Sequence, residues 1–428
     1  MVQEESHDVV VVGAGFCGIA TAAALRRYGV EDIVLLEAGN RYGAFWAHTY
    51  ERLSLHSPWH GLPDDRGLND DFPMFKSRLE LMDYFRRYAT LHRLDEIARF
   101  GDALVELRRA VGRTSAGWHV ETTRGRHRAR FVVIATGYCR QPRLPSIRGL
   151  EHFEPPLLHS AEYVNGHAWR GRNILVVGSG NSAFEIALDL VEHGASSVTM
   201  LVHGPRYVIP IESFGAAMEQ ARATGAYGVD AITNAHRCSP ETAEYRGYVQ
   251  GFDELLRSLA VDLSPHGIHT PSRGPWDAAL HAGRNSVFDH GTADLIRNGT
   301  VCVINDRIDH FRAERVVLAE HGSLRFDGII MATGFGAGLE PFLRDPSVAR
   351  SNVLRADDPR GSNFPVTDGR CRALAVPNLY FVGYDMSPWG GMAHGHWGFE
   401  VGEKIASALG TFSAAQRPPE LRTASWAA

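Results

Sequence analysis

The stretch Asp8-Val-Val-Val-Val-Gly13-Ala-Gly15-Phe-Cys-Gly18 sets the fold class of this chain. Its β-branched run has the composition of a strand buried on both faces. Behind the glycines, Ile19 to Tyr28 reads as an Ala- and Leu-rich helix, and the apolar run from Asp32 to Leu36 then closes on Glu37, nineteen residues past Gly18. That series is a complete βαβ unit, with glycine at each position a dinucleotide fold requires. Gly13 permits the tight turn, Gly15 lets the backbone approach a pyrophosphate, and Gly18 lets helix and strand pack closely. The helix N-terminus turns free N–H groups and the positive end of its dipole toward the phosphates. Glu37 is placed to accept hydrogen bonds from an adenosine ribose, and its charge repels a 2′-phosphate.

The same grammar recurs downstream. Asn173-Ile-Leu-Val-Val177 leads into Gly178-Ser-Gly180-Asn-Ser182-Ala183, a helix to about Glu192 and a strand from Ser197 to Val202. Ala183 takes the third glycine position, an accepted variant. Twenty-four residues past the first glycine of each turn stand Glu37 in one copy and Val202 in the other. The second copy lacks the acid, and Arg206, with His203 second, suits an adenosine 2′-phosphate. One acidic and one basic fold predict FAD in the first and NADPH in the second, a pair with a redox purpose. Phe131-Val-Val-Ile-Ala-Thr136-Gly137 and Gly328-Ile-Ile-Met-Ala-Thr333-Gly334 form a second echo, and Asn378 to Gly383 is one more strand ending in glycine. The expected architecture is α/β, with two Rossmann-like domains, the second inserted into the first. Residues 1–165 and 326–428 would bind FAD, and 166–325 NADPH, with a helical insertion at about 204–295 that serves substrate access.

Composition narrows the alternatives. With 44% hydrophobic and 22% charged residues the chain is neither disordered nor collagen-like. A net charge of −5 removes the electrostatic case for nucleic-acid binding. No run of eighteen apolar residues occurs, so no membrane span is expected. The acidic start, Met1-Val-Gln-Glu-Glu5, leads straight into a strand rather than a secretory leader. The five cysteines are widely spaced and include no CxxC pair, which fits a reducing cytoplasm and denies a local zinc site or disulfide-reductase motif. The 44 glycines exceed the usual ~7%, and twelve of them fall in or beside the proposed cofactor turns.

Between the two folds lies Phe153-Glu-Pro155-Pro-Leu-Leu-His159-Ser-Ala-Glu-Tyr163. With both fingerprints, it resembles the F-x-G-x-x-x-H-x-x-x-(F/Y) signature of the class B flavin-dependent monooxygenases, Pro155 standing for the glycine. Gly43-Ala-Phe-Trp46 looks like that family's segment beside the flavin. Tyr50-Glu-Arg-Leu-Ser-Leu-His56, Phe72-Pro-Met-Phe75 and Arg284-Asn-Ser-Val-Phe-Asp289 resemble its auxin-forming members. The resemblance implies that NADPH reduces FAD, that O2 adds at flavin C4a, and that the (hydro)peroxyflavin transfers one oxygen to a small molecule. That product would be an N- or S-oxide or come from a carbonyl or 2-oxo acid. The family often has an asparagine where His56 stands, so His56 is the candidate group beside the flavin. His394 and His396, after the last flavin strand, are candidates for the substrate end and are not expected to hold a metal. The cofactor-binding set is Gly13, Gly15, Gly18, Glu37, Gly43, Trp46, Thr136 and Gly383 for FAD. For NADPH it is Gly178, Gly180, Ser182, Ala183, Arg206 and Thr333. The competing readings are a flavin oxidase or NADPH oxidase-like flavoprotein and a non-catalytic redox sensor. The state of assembly, monomer or homo-oligomer, is left open.

Overall fold

The computed structural model describes residues 4–110, 117–224, 243–282, 285–349, 353–355, 363–384 and 391–412. Its first sheet is built around β1 (Glu4–Val12), which pairs in parallel with β2 (Ile33–Glu37) on one side and β6 (Arg126–Ile134) on the other. Beyond β2 lies β3 (Ala98–Phe100), and beyond β6 lie the antiparallel β5 (Gly117–Thr122) and β4 (Leu104–Ala110), giving the order β3-β2-β1-β6-β5-β4. The valines of β1 are fully packed because both faces are covered. Val9 and Val11 meet the helix α1 (Phe16–Arg27), while Val10 and Val12 meet Leu107, Trp118 and Phe381. In β6 the arginines Arg126, Arg128 and Arg130 face out while His127 and Ala129 face in, the alternation of a half-exposed strand.

The chain then leaves this sheet and builds a second, fully parallel one. Its strands are β7 (Leu157–His159), β8 (Asn173–Val177), β9 (Ser197–Val202), β10 (Val301–Asn305) and β11 (Gly328–Met331), in the order β10-β9-β8-β11-β7. The helix after β8 spans Asn181–Glu192 and packs on one face of the sheet, while Phe311, Val316 and Leu318 of a small antiparallel meander cover the other. The chain returns to the first sheet with β12 (Leu379–Phe381), parallel to β6. Leu157–His159 and Gly328–Met331, inside the segments assigned by sequence to FAD, are therefore hydrogen-bonded into the second sheet. Among the described residues of 204–295 are two long helices, Ile211–Thr224 and Ala243–Leu259, and a shorter one at Pro275–Ala282. Trp276 is buried there among Ile209, Phe214 and Phe252, with Trp59 against it, so these tryptophans pack the core. Trp46 and Trp397 do the same in the first unit, and Trp389 and Arg284 lie outside the described residues.

The last helix, Gly391–Leu409, lies along α1. Its glycines permit the approach: a Cβ at Gly398 would stand 2.4 Å from the Cys17 carbonyl oxygen, and one at Gly402 2.7 Å from that of Thr21. No helix among the described residues is long and apolar enough to cross a membrane. Gly398→Ala forces these helices apart. We expect a loss of about 1–3 kcal/mol in urea unfolding, and an unchanged midpoint would contradict the contact.

Candidate functional site

Two glycine turns with the same construction define the site. The Gly13 N–H donates to Leu36 O at 2.7 Å and that of Gly178 to Leu201 O at 2.9 Å. Both glycines have positive φ, +103° and +143°, and a Cβ on either would fall 2.5 and 2.4 Å from the carbonyl oxygens of Ala135 and Ala332. These alanines belong to the two Ala-Thr-Gly segments, which thus close against the turns. Gly18 is needed for a different reason: it lies inside α1, where a Cβ would strike Gly13 O. Ala183, at the matching place, is fully buried and packs the second core.

Gly15 and Gly180 have extended backbones that any residue adopts, and a Cβ on either meets no protein atom within 4 Å. Neither helix has a side-chain cap at this end. The turns therefore leave open space and uncapped helical N–H donors on the same side, the arrangement that a pyrophosphate requires. Behind the first turn, Glu37 accepts from Ala14 N at 2.8 Å and Gly39 N at 2.7 Å, which fixes its carboxylate across the loop. Gly43, in the left-handed region, donates to Ala14 O, and Trp46 stands edge-on to Phe16 one turn later. Thr136 bonds the buried Tyr384 hydroxyl at 2.6 Å, next to Gly383.

The second turn opens on a cavity of about 650 Å³. Gly178, Gly180, Thr333, His203 and Arg206 all line it. The Arg206 Nε donates to Ser179 Oγ at 3.0 Å, holding the guanidinium against the turn. Arg143 and Arg307 add two further cations that the sequence reading did not single out. Ser182 faces elsewhere, accepting from the Tyr50 hydroxyl at 3.4 Å.

The linker motif proves to be structural. The His159 Nδ1 accepts from Ala161 N at 3.1 Å, so its Nε2–H donates to Gly334 O at 3.0 Å, pinning the second Ala-Thr-Gly turn. Tyr163 donates to the buried Asp189 at 2.5 Å. Pro155 is accommodated because its backbone is not left-handed. The His56 Nε2 donates to Glu185 Oε1 at 2.7 Å, and its ring stacks on Phe288. His396 is half-buried on the last helix, and the side chain of His394 lies outside the described residues.

Burial holds the His159 imidazole below its ordinary value. The unfolded chain takes up this proton first, so stability falls as pH drops below about 6.5. We expect His159→Gln to flatten the pH dependence of unfolding between about pH 6.5 and 5 by up to ~1.4 kcal/mol per pH unit. An unaltered slope would contradict a neutral buried ring.

Comparison with known proteins places this geometry. A model of the pyridine nucleotide-disulphide oxidoreductase family matches residues 10–210. The indole-3-pyruvate monooxygenase YUCCA1 of Oryza sativa subsp. japonica is 31% identical over 350 residues, 78% of this chain and 78% of that protein. Among solved structures, a flavin-containing monooxygenase from Stenotrophomonas maltophilia aligns with a TM-score of 0.64 at 20% identity, over 95% of this chain and 99% of that one. An OTEMO complex with FAD and NADP aligns with a TM-score of 0.67 at 17% identity, over 95% of this chain and 86% of that one. These structures share the two-unit dinucleotide fold. The chain belongs to the family of YUCCA-like flavin monooxygenases.

Proposed function

We propose that the protein is an NADPH- and O2-dependent FAD monooxygenase acting on a small carbonyl compound of the aromatic 2-oxo acid class. The observation that carries this reading is the pair of open glycine turns in one chain, the first backed by Glu37 and the second facing Arg206, Arg143 and Arg307. An acid at the first turn suits a ribose without a 2′-phosphate, and arginines at the second suit one that carries it. The OTEMO complex, with both FAD and NADP, and the indole-3-pyruvate monooxygenase relative support the same assignment. The described residues that meet FAD are then Gly13, Gly15, Gly18, Glu37, Gly43, Trp46, Thr136 and Gly383. When bound, FAD supplies the two-electron acceptor and the site of O2 activation. The protein's residues bind and orient. The helix N-termini hold the pyrophosphates, Arg206 takes the 2′-phosphate, and the half-buried Phe288 stacked on His56 offers an aromatic face to an apolar substrate. His394 and His396, on the last helix, remain the substrate-side candidates of the reading.

A thiol mechanism of the disulfide-reductase kind has no support. Burial pushes the Cys17 thiol up to about 12, far from the depressed value that an exchanging thiolate needs.

Two measurements test the reading. The purified protein should be yellow and should bleach when NADPH is added without air, and aromatic 2-oxo acids should lower the fraction of NADPH oxidation that appears as H2O2. Flavin that NADPH leaves oxidised would overturn the assignment, whereas full release of O2 as H2O2 with every substrate would make the protein a flavin oxidase. Arg206→Ala should raise KM for NADPH about tenfold or more and leave that for NADH nearly unchanged, the signature of a lost charge-assisted phosphate contact.

A further inference from the structure

The helix Asn181–Glu192 carries a buried carboxylate that the cofactor assignments leave unused. Glu185 is 2% exposed, and its Oε1 accepts the Nε2–H of His56 at 2.7 Å. Its Oε2 is buried without a partner, and so is the Nε2 of His290. Side-chain nitrogen and carboxylate oxygen atoms of His56, Glu185 and His290 lie within 4.8 Å of one another. The two orphaned atoms are complementary, one an acceptor and the other a potential donor, and a buried carboxylate oxygen left unsatisfied costs about 1–3 kcal/mol or more. His56 Nδ1, by contrast, bonds no described protein atom.

The cluster sits where the nucleotide helix meets two other segments. Ser182 accepts from Tyr50 and Asn181 Oδ1 accepts from Phe288 N, so the first turns of this helix hold residues 50–56 and 288–290 beside the second glycine turn. We propose that Glu185 is a positioning residue whose carboxylate fixes His56 as the Nε2–H tautomer and faces His290 with its other oxygen, leaving His56 Nδ1 as the atom that accepts and returns a proton. A carboxylate that holds one nitrogen of an imidazole leaves the other to take or give a proton. The other ionisable groups around the cluster are Tyr50, whose hydroxyl burial pushes well above its ordinary value, and Arg52 and Glu212, which act on His290. Burial lowers the His290 imidazole while Glu185 raises it, so a proton shared with Oε2 resolves both orphans.

The role in turnover rests on the monooxygenase reading, but its structural half is tested without turnover. Nitrogen-15 NMR of the histidine-labelled, FAD-loaded protein reads tautomer and titration midpoint for each ring, with His56→Gln and His290→Gln giving the assignments. Neutral wild-type His56 should show the Nε2–H tautomer. Glu185→Gln should lower the midpoint of His290 by about one pH unit, a tenfold loss of proton affinity, and should release His56 from the single tautomer. The pH profile of coupled product formation should change in Glu185→Gln as well. An Nδ1–H tautomer for His56, an unmoved His290 midpoint, or one equivalent of divalent metal in the isolated protein that His56→Gln removes would each overturn the proposal. The wild-type tautomer decides even if Glu185→Gln does not fold. A flavin that NADPH does not reduce would sink the monooxygenase reading and leave the NMR result standing.

Discussion

The molecule depends on one steric constraint used twice. At Gly13 and Gly178 the chain turns so tightly against a neighbouring strand that a single added carbon would fall 2.5 and 2.4 Å from the carbonyl oxygens of Ala135 and Ala332. That contact brings strand, turn, helix and the Ala-Thr-Gly segment together in each unit. Hydrogen bonds from Ala135 N to Val12 O and from Ala332 N to Val177 O, both 2.8 Å, seal the arrangement. With the protein drawn in on one side, the other side of each turn stays open at Gly15 and Gly180, where the helices begin without caps. Tight packing within and open space without are two faces of one backbone geometry.

What differentiates the copies is charge rather than shape. Glu37 spans the first loop through two backbone N–H groups, while the second turn looks across its cavity at arginines. The helix at the second turn does more than receive a phosphate. Its side chains Asn181, Ser182, Glu185 and Asp189 bond Phe288, Tyr50, His56 and Tyr163 in turn, tying three distant segments to the nucleotide turn. Events at the second turn are thereby mechanically close to His56, which Glu185 holds against Phe288.

The parts legible in sequence are those whose cause is local. The valine run of β1 announces burial on both faces, and the glycine turns and Glu37 declare themselves through spacing, because turn, helix and acid lie within thirty residues. The end of α1 was likewise readable, but its start was not: the helix begins at Phe16, since Gly18 is spent on closeness to Gly13 inside the helix rather than on the turn. The cluster at Glu185 was invisible for a plainer reason. Glu185, Asp189 and Glu192 follow helical spacing and look like a solvated stripe, yet the first two are buried, at 2% and 4% exposure, by segments that come from far along the chain. His290 meets His56 only through tertiary folding. Likewise, nothing local says that β7 and β11 join the second sheet; the parallel ladders of β11 with β8 and β7 do so, between segments far apart in the chain.

The central claim is that the two turns are separate dinucleotide sites of different chemistry. Flavin content and NADP⁺ titration of two single variants, Gly15→Ala and Gly180→Ala, test it most directly, since neither added Cβ meets a protein atom. The account predicts that Gly15→Ala is purified depleted of FAD. It predicts that Gly180→Ala keeps its FAD and binds NADP⁺ at least about tenfold more weakly, with both proteins folded as the wild type. Loss of both ligands in either variant, or of neither, would contradict it.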